Sequence, residues 1–353
     1  MALFVYRQAG QQRNYRRILQ RERIFRDRRQ PFELYNDVDM YQRYRFTRLG
    51  CMTIINRLRA QLEHPTNRSR ALSASLQVFI ALRFYASGSK SALAECASLH
   101  GCSKSSASRA LRRVTKALVQ IRNDEIKFPI TPASVTNAQR EFFLVAGFPQ
   151  VVGAVDGTLI GIHGCNYGPD EYVFVSRKGR HAINVQLICS AKYKIINVVA
   201  RWPGSTHDSR ILSESLVGRQ FEDHQLQGIL LGDSGYPLQP WLMTPIQNPT
   251  TLEETSFNNA QTRTRAKIEQ VNGQLKNKFR CLLGDGMQIE PQRACDIIVA
   301  CCILFNISKD LKEPHLDPQR DQQVQPDPDE AGAAPDNVHG AAVRADIITN
   351  FFT

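Results

Sequence analysis

The sequence has no long uninterrupted apolar run and no closely spaced pair of cysteines, and these two absences exclude several classes of protein. No segment reaches the roughly 20 consecutive apolar residues of a membrane-spanning helix, and the N-terminus has no apolar core of a signal peptide. None of the nine cysteines has the C-x-x-C spacing of a zinc knuckle or a redox motif. We therefore expect a soluble intracellular protein in a reducing compartment, without membrane association and with most thiols buried.

Acidic residues are in the minority. The 353 residues include 45 Lys and Arg against 33 Asp and Glu, which gives a formal net charge of +12. Such a balance favours a polyanionic partner, with nucleic acid as the first candidate and an acidic membrane as the second. The length exceeds one average domain, and 42% hydrophobic residues suffice for a substantial core.

The composition divides the chain into four predicted parts. Residues 1–45 form a basic arm with nine arginines between positions 7 and 29, which suits phosphate contact or nuclear import. An ordinary solvated helix face and an Arg-rich transit peptide are the alternatives. Residues 46–125 have the apolar spacing of an α-helical domain. Residues 126–310 form an α/β domain, and residues 311–353 are an acidic, Pro- and Gln-rich tail that we expect to be largely disordered.

The end of the helical domain predicts two helices joined by a turn at Gly101. Ser103 is a candidate N-cap for the second helix, whose apolar residues recur every three or four positions. Its other faces are basic, with Lys104, Arg109, Arg112, Arg113 and Lys116. A helix-turn-helix recognition helix presents such a face to a DNA groove. A plain packed helix with a basic surface is the alternative.

The α/β domain begins with three predicted strands. Residues 151–162, VVGAVDGTLIGI, are a buried strand with the carboxylate of Asp156 in the middle, and residues 182–190 and 195–200 follow as the second and third strands. Turns join the three, so they pair antiparallel. A crossover helix then returns the chain to a buried strand that is parallel to its neighbour and ends at Asp233.

The third carboxylate of interest, Glu269, lies on a long basic helix predicted over residues 258–280. Its face also carries Lys276, a side chain suited to phosphate. If Asp156, Asp233 and Glu269 converge, they cannot all stay ionised without cations, and hard oxygen ligands select Mg²⁺ or Mn²⁺. Such a site suits in-line displacement at a phosphodiester. A buried Asp paired with a basic residue is the structural alternative for any one of these positions.

Five motifs in this order resemble those of the Harbinger-type DDE transposase family: VVGAVDGTLIGI, SRKGRHAINVQLI, WPGSTHDSRIL, LLGDSGYP and RAKIEQVNGQLKNKFRCL. The resemblance spans about residues 66–307. It implies an RNase H-like catalytic domain of α/β class in which Asp156, Asp233 and Glu269 are the catalytic acids and hold a divalent cation. Leu159 and Asn272 depart from the family pattern, and neither change removes a carboxylate.

The resemblance also implies roles for residues outside this triad. Asp208 would be an additional metal ligand, whereas the residues alone suggest a helix N-terminal carboxylate favoured by the macrodipole. Arg177 and Lys178 of the SRKGRH motif would contact backbone phosphates, although a mere hairpin turn also explains them. A metal phosphohydrolase site around His207 and Asp208 would need further His ligands on helices, which the sequence does not provide.

We therefore expect a transposase-derived endonuclease that cuts DNA with Mg²⁺ or Mn²⁺. The alternative is a non-catalytic nuclear DNA-binding or adaptor protein that retains the fold. The family resemblance implies a nuclear location, with some protein in the cytoplasm, and a Myb/SANT-like partner protein. A homo-oligomer is left open.

Overall fold

The computed structural model describes residues 28, 30–64, 66, 70–89, 91–163, 171–283, 286–314 and 337–353. The arginines of the predicted arm at positions 7 to 26, Arg29 and the acidic segment 315–336 lie outside the described residues.

The central sheet confirms the predicted α/β class and the predicted strand pairing. Its five strands are β1 (Val151–Gly161), β2 (Ala182–Cys189), β3 (Ile195–Pro203), β4 (Ile229–Leu231) and β5 (Leu242–Met243). They lie in the order β3-β2-β1-β4-β5, with β1, β2 and β3 antiparallel and with β4 and β5 parallel to β1. This mixed order is consistent with an RNase H-like domain. Sequence analysis missed β5, because its two residues lie in a Pro-rich segment that resembles a loop.

Eight helices precede the sheet in the described residues: α1 (Pro31–Leu34), α2 (Asp37–Tyr44), α3 (Arg48–Leu62), α4 (Ala74–Ala86), α5 (Ala92–Leu99), α6 (Lys104–Gln120), α7 (Arg122–Glu125) and α8 (Pro132–Ala146). The predicted pair of helices forms at α5 and α6. Gly101 makes the turn with a φ of 63°, and the Ser103 side chain accepts a hydrogen bond from the Ser106 N–H at the start of α6. Whether this pair acts as a DNA-binding helix-turn-helix stays a prediction.

The remaining helices surround the sheet: α9 (Asp208–Ser213), α10 (Leu216–Glu222), α11 (Leu252–Lys278), α12 (Pro291–Asp310) and α13 (Val338–Phe351). Short 3₁₀ helices occur at Glu171–Phe174 and Arg280–Leu282. The apolar stripe predicted for the long basic helix is buried in α11, where Ile268, Val271 and Leu275 are at most 1% exposed.

The predicted boundary at residue 125 does not separate two cores. Buried side chains of α3 to α6 belong to the same hydrophobic cluster as those of α11, α12 and one face of β1 to β3. The reason is α12, which is apolar on every face and packs between α6 and β3. The helical part and the catalytic part are therefore joined through a continuous core.

The predicted N-terminal arm is wrong for residues 31–45. This segment forms α1 and α2, and Met40 and Tyr44 are fully buried. The Tyr44 ring packs against Phe79 of α4, with ring centroids 4.8 Å apart. The arginines make this segment basic on average, and the average hides the apolar side chains near its end that pack into the core.

The predicted disordered tail is wrong for residues 337–353. These residues form α13, which begins at the capping residue Asn337. Ile347 is 2% exposed, and the Phe352 ring packs on Phe148 and Phe257, both at 5.8 Å between centroids. The polar composition of the preceding segment hides this apolar C-terminal stretch.

One helix, α12, is long and apolar enough to cross a membrane by length and composition. In its most apolar window, 67% of the residues are buried inside the fold. Core helices of globular domains have these same properties, so α12 is a weak indication of a membrane span.

Candidate functional site

The three predicted catalytic acids come from three elements that meet at β1. Asp156 lies in the middle of β1, and Asp233 follows the end of the neighbouring parallel strand β4. Glu269 lies on α11, which packs against β1. Gly235 N–H donates a hydrogen bond to Asp233 Oδ1 at 3.0 Å and so orients this carboxylate in the turn after β4.

Asp156 lies half-buried on β1 among other acids. Burial, together with the charge of Asp233, raises the pKa of Asp156 to about 8, and Arg265 opposes the shift. Asp208 and Glu269 also raise this pKa, to a smaller extent. One direct partner is the amide of Asn272 on α11, whose Nδ2 donates to Asp156 Oδ2 at 2.7 Å. The pKa of Asp156 thus reports that all four carboxylates lie within electrostatic range.

Asp208 approaches β1 from the other face. Asp156 and Gly157 are consecutive in the strand, so their side-chain directions point to opposite faces of the sheet. A Cβ on Gly157 would overlap the Asp208 carboxylate. Asn184 of β2 holds this carboxylate, because its Nδ2 donates to Asp208 Oδ1 at 2.6 Å and to Thr206 O at 2.8 Å. Asp208 therefore belongs to the site but does not share the Asp156 face of the sheet.

Burial also raises the pKa of Asp208, whereas the hydrogen bond from Asn184 and the charge of Arg177 lower it. Arg177 and Asp208 line one cleft of about 340 Å³, together with Asp233 and Gly235. The cleft also contains the backbone of the loop before α9. Asp208 and Asp233 are therefore the two aspartates of the site that line this cleft.

Glu269 is engaged with a neighbouring cation. It pairs with Arg265 one helical turn earlier on α11, and its side chain is 43% exposed. The guanidinium of Arg265, at 11% exposure, is the more buried partner and also lowers the pKa of Asp156. A positive charge therefore already lies between the predicted acids of the triad.

Two of the predicted phosphate contacts lie beside the acids. Lys276 Nζ donates to Leu159 O on β1 at 3.3 Å. Burial lowers the pKa of Lys276 to about 8, Asp156 raises it, and Lys178 lowers it. Lys276 and Lys178 are thus close to each other and to Asp156. Arg109, Arg112 and Arg113 are on α6, and none of them lines the cleft beside the aspartates.

Sequence analysis missed several polar residues of the site. Asn184 and Gln186 face the same side of β2, and the Tyr236 hydroxyl donates to Gln186 Oε1 at 3.4 Å. The signal was present, because these are the two polar side chains in the otherwise apolar strand AINVQLIC and they alternate with apolar ones. Arg265 was seen on the face of Glu269 but was not assigned to the site.

The donor chemistry of the site fits a hard divalent cation. Among residues that the structure describes, no group of three or more His, Cys, Asp or Glu side chains is arranged to hold a metal ion as it stands. Oxygen donors are nevertheless concentrated here. The buried Oδ1 atoms of Asn184 and Asn272 have no hydrogen-bond partner and lie beside Asp208 and Asp156. Carboxylate and amide oxygens are the ligands that such cations prefer, and a cation would offset the cost of ionising Asp156.

Known proteins resemble this chain over most of its length. Residues 155–306 match the model of the DDE superfamily endonuclease family. The chain is 38% identical to "Putative nuclease HARBI1" of Homo sapiens over 282 residues, which are 78% of this chain and 80% of that protein. It is 36% identical to the protein of the same name in Xenopus laevis, over 75% of this chain and 76% of that protein. "Protein ALP1-like" of Arabidopsis thaliana is 27% identical over 70% of this chain and 64% of that protein. No solved structure matches the chain.

The segment matched by the endonuclease model begins one residue before Asp156 and includes the other three carboxylates of the site. The identity to the animal nucleases extends beyond this segment to more than three quarters of the chain. The chain therefore belongs to the Harbinger transposase-derived family of DDE superfamily endonucleases.

Proposed function

We propose that this protein is an endonuclease that uses a divalent metal ion to cut DNA phosphodiester bonds at Asp156, Asp233 and Glu269. One observation carries the proposal: Asp156 lies half-buried on β1 within range of the charge of Asp233, and the pKa of Asp156 is raised rather than lowered. A structural aspartate paired with a base would have a lowered pKa, because its ionised form would be favoured. Acids whose ionised form is disfavoured by their surroundings are typical of functional sites.

The four carboxylates have distinct proposed roles. Asp156 on β1 and Asp233 after β4 would hold Mg²⁺ or Mn²⁺. Glu269 would become a further ligand once it gives up its ion pair with Arg265. Asp208, held by Asn184, would be the additional ligand on the opposite face of β1. When bound, the ion supplies Lewis-acid activation of the phosphate and of the attacking water or hydroxyl.

The basic side chains around the cleft are the proposed phosphate contacts. Arg177 lines the cleft with Asp208, and Lys178 is close enough to Lys276 that its charge lowers the pKa of Lys276. Phosphate oxygens are bound well by the fork of an arginine and by the ammonium group of a lysine. These side chains would place the scissile phosphate over the acids and offset its charge there.

The test is nicking of supercoiled plasmid DNA by the full-length protein in Mg²⁺ or Mn²⁺. We expect cleavage by the wild type and none by Asp156→Asn or Asp233→Asn. Glu214→Gln is a matched control, because Glu214 is a partly exposed acid paired with Arg210 on α9, close in sequence to Asp208. Cleavage that persists without metal, or in both aspartate variants, would contradict the proposal.

A second candidate function is a non-catalytic DNA-binding or adaptor protein that retains the fold. The ion pair between Glu269 and Arg265 favours it, because a catalytic glutamate is then occupied by a cation of the protein itself. Salt-dependent DNA binding without cleavage at any metal concentration would support this function. An Arg265→Gln variant that gains cleavage would instead indicate a nuclease restrained by this ion pair.

The cellular setting is part of the proposal. A nuclear protein, with some in the cytoplasm, that works with a Myb/SANT-like partner and forms a homo-oligomer would agree with the family resemblance. The net charge of +12 suits a location rich in nucleic acid. Failure of a nuclear Myb-like candidate to co-purify with this chain would count against the partner.

A further inference from the structure

A second basic cleft lies in the helical part of the molecule, and it shares no lining residue with the cleft beside the aspartates. Its volume is about 330 Å³. Its walls come from segments that are far apart in the sequence: Arg28 ahead of α1, described residues between His64 and Gln77, and the first half of α6. Its lining includes four arginines: Arg28, Arg70, Arg109 and Arg113. We call this feature the arginine cleft.

Neutral groups hold the arginines of this cleft in place. Arg28 Nη1 donates to Ala71 O at 3.1 Å, and Arg113 Nη2 donates to Leu62 O at 3.0 Å. Arg109 Nη2 donates to Ser106 Oγ at 3.3 Å. Carbonyl and hydroxyl oxygens orient a guanidinium without cancelling its charge. None of the described residues that line the cleft is acidic, and the positive charges of Arg28, Arg109 and Arg113 add.

The arginine cleft changes the interpretation of α6. Arg109 and Arg113 are one helical turn apart and line the cleft, whereas Arg112 is exposed and does not line it. Arg113 is also tied to the C-terminal carbonyls of α3. Arg113 is therefore held by α3 at one wall of the cleft, and Arg112 lies outside it. Two arginines of α6 thus join arginines from other segments in a concave site.

We propose that the arginine cleft binds phosphate groups of the DNA backbone and anchors the substrate at a distance from the catalytic acids. The proposal rests on the proposed function, because it takes DNA as the ligand. Planar guanidinium groups match phosphate oxygens in bidentate geometry. The cleft also offers the hydroxyls of Thr66 and Ser106 as neutral donors. Contacts of this kind fix the position of a duplex without reading its sequence.

The test measures binding of the full-length protein to a fluorescein-labelled duplex of random sequence, by anisotropy, in EDTA and over a range of KCl concentrations. EDTA prevents cleavage, so binding is measured separately from the proposed catalytic activity. The cleft variants are Arg28→Gln and Arg109→Gln. Arg59→Gln is the matched control, because it removes the same charge from the exposed surface of α3 outside the cleft. Arg112→Gln removes a charge from α6 outside the cleft and tests the alternative that α6 itself enters a groove.

We expect each cleft variant to bind about tenfold more weakly at moderate salt, with the slope of log K against log salt reduced by about 1. The loss should be the same for duplexes of different sequence, and Arg59→Gln should bind like the wild type. Thermal unfolding checks that each variant is folded. Arg109 is exposed and donates to Ser106 of its own helix, so its replacement is the safer of the two.

Two results would overturn this inference. Weaker binding by Arg112→Gln with unchanged binding by Arg28→Gln would indicate that α6 reads a groove and that the cleft is not a DNA site. Unchanged binding by both cleft variants would show that the cleft is not used. If the protein binds DNA through Arg28 and Arg109 but never cuts it, the proposed nuclease activity is contradicted and the proposed DNA site at the arginine cleft is supported.

Discussion

The carboxylate of Asp208 occupies the space that a Cβ on Gly157 would need. The contact joins the start of α9 to the middle of β1, one residue after Asp156. Glycine at this position lets the acid of α9 close onto the strand from the face opposite Asp156.

Replacement of this glycine should therefore displace Asp208. We expect Gly157→Ala to reduce plasmid nicking at least about tenfold, because loss of one oriented charged group costs 1.4 kcal/mol or more of transition-state stabilisation. In an Asp208→Ala background the same change should have little further effect. Gly273→Ala on α11 is the control, since a Cβ there meets nothing within 4 Å. Equal losses in both backgrounds would show that Gly157 acts independently of Asp208.

The raised pKa of Asp156 predicts how metal and stability are coupled. Its folded pKa of about 8 exceeds its ordinary value of 3.8. The stability that this group contributes is fully present below pH 3.8 and is lost as pH rises through 8. At neutral pH without metal, Asp156→Asn should therefore melt at least about 2 °C above the wild type. The amide oxygen of the new side chain can still accept from Asn272.

Addition of Mg²⁺ or Mn²⁺ should then shift the melting temperatures of the two proteins by different amounts. A cation that binds only the folded state raises the melting temperature of the wild type. The Asp156→Asn variant should show little such shift, as measured by differential scanning fluorimetry with and without EDTA. A variant that melts below the wild type and shifts equally with metal would contradict this assignment.

Glu313 ties the end of α12 to the beginning of α3. Its carboxylate accepts hydrogen bonds from both N and Oγ1 of Thr47, each at 2.8 Å. It also faces the buried amine of Lys278, since burial lowers the pKa of Lys278 to about 8 and Glu313 raises it. Glu313→Ala should lower the free energy of unfolding by about 3 kcal/mol, because it leaves a buried cation uncompensated.

Urea denaturation measures this loss. Lys278→Met in the Glu313→Ala background should recover part of it, because the orphaned charge is removed. Asp37→Ala, which breaks the exposed pair between Asp37 and Arg48, should change stability little. If the double variant is no more stable than Glu313→Ala, the hydrogen bonds to Thr47 alone account for the effect.

The buried thiol of Cys302 should make the free energy of unfolding decrease with pH in the alkaline range. Burial raises the pKa of Cys302 from 9.0 to about 12. Above pH 9 the unfolded chain releases this proton and the folded chain retains it, so the thiol's contribution is lost as pH rises. Relative to Cys302→Ala, the wild type should lose about 1.4 kcal/mol for each pH unit above 9.

The comparison with a variant matters because the lowered pKa values of Lys276 and Lys278 act in the opposite direction above pH 8. Val299→Ala on the same helix lacks a titrating group, so its difference from the wild type should stay constant with pH. If the difference in free energy of unfolding between Cys302→Ala and the wild type is also constant with pH, the thiol has the same pKa in the folded and unfolded states.

The strands and the acids on them were predictable from the sequence. Apolar runs with a single carboxylate locate β1 and β4, and turn lengths set the antiparallel pairing. The position of Asp208 was not predictable, because it depends on which face of β1 the helix α9 approaches. The partner of Glu269 also depended on geometry: Arg265 was visible one turn away, but only its burial shows that it competes for the site.

The limits of the predicted domains have a different cause. Composition averages over a window, so nine arginines obscured the apolar residues of α1 and α2, and an acidic stretch obscured α13. The uniformly apolar α12 was predicted as buried, but periodicity cannot say against what. Its packing on both α6 and β3 is set by the tertiary structure.

The continuous core through α12 has a mechanical consequence. In the part of the chain that the structure describes, the packed helix α12 connects α6, which lines the arginine cleft, to the sheet that carries the acids. The distance between the arginine cleft and the acids is therefore fixed by the fold. DNA bound at the cleft would be cut at that fixed distance from its anchored phosphates. Cleavage efficiency would then fall abruptly below one duplex length. Substitutions that loosen the packing of α12 would make this dependence on length more gradual.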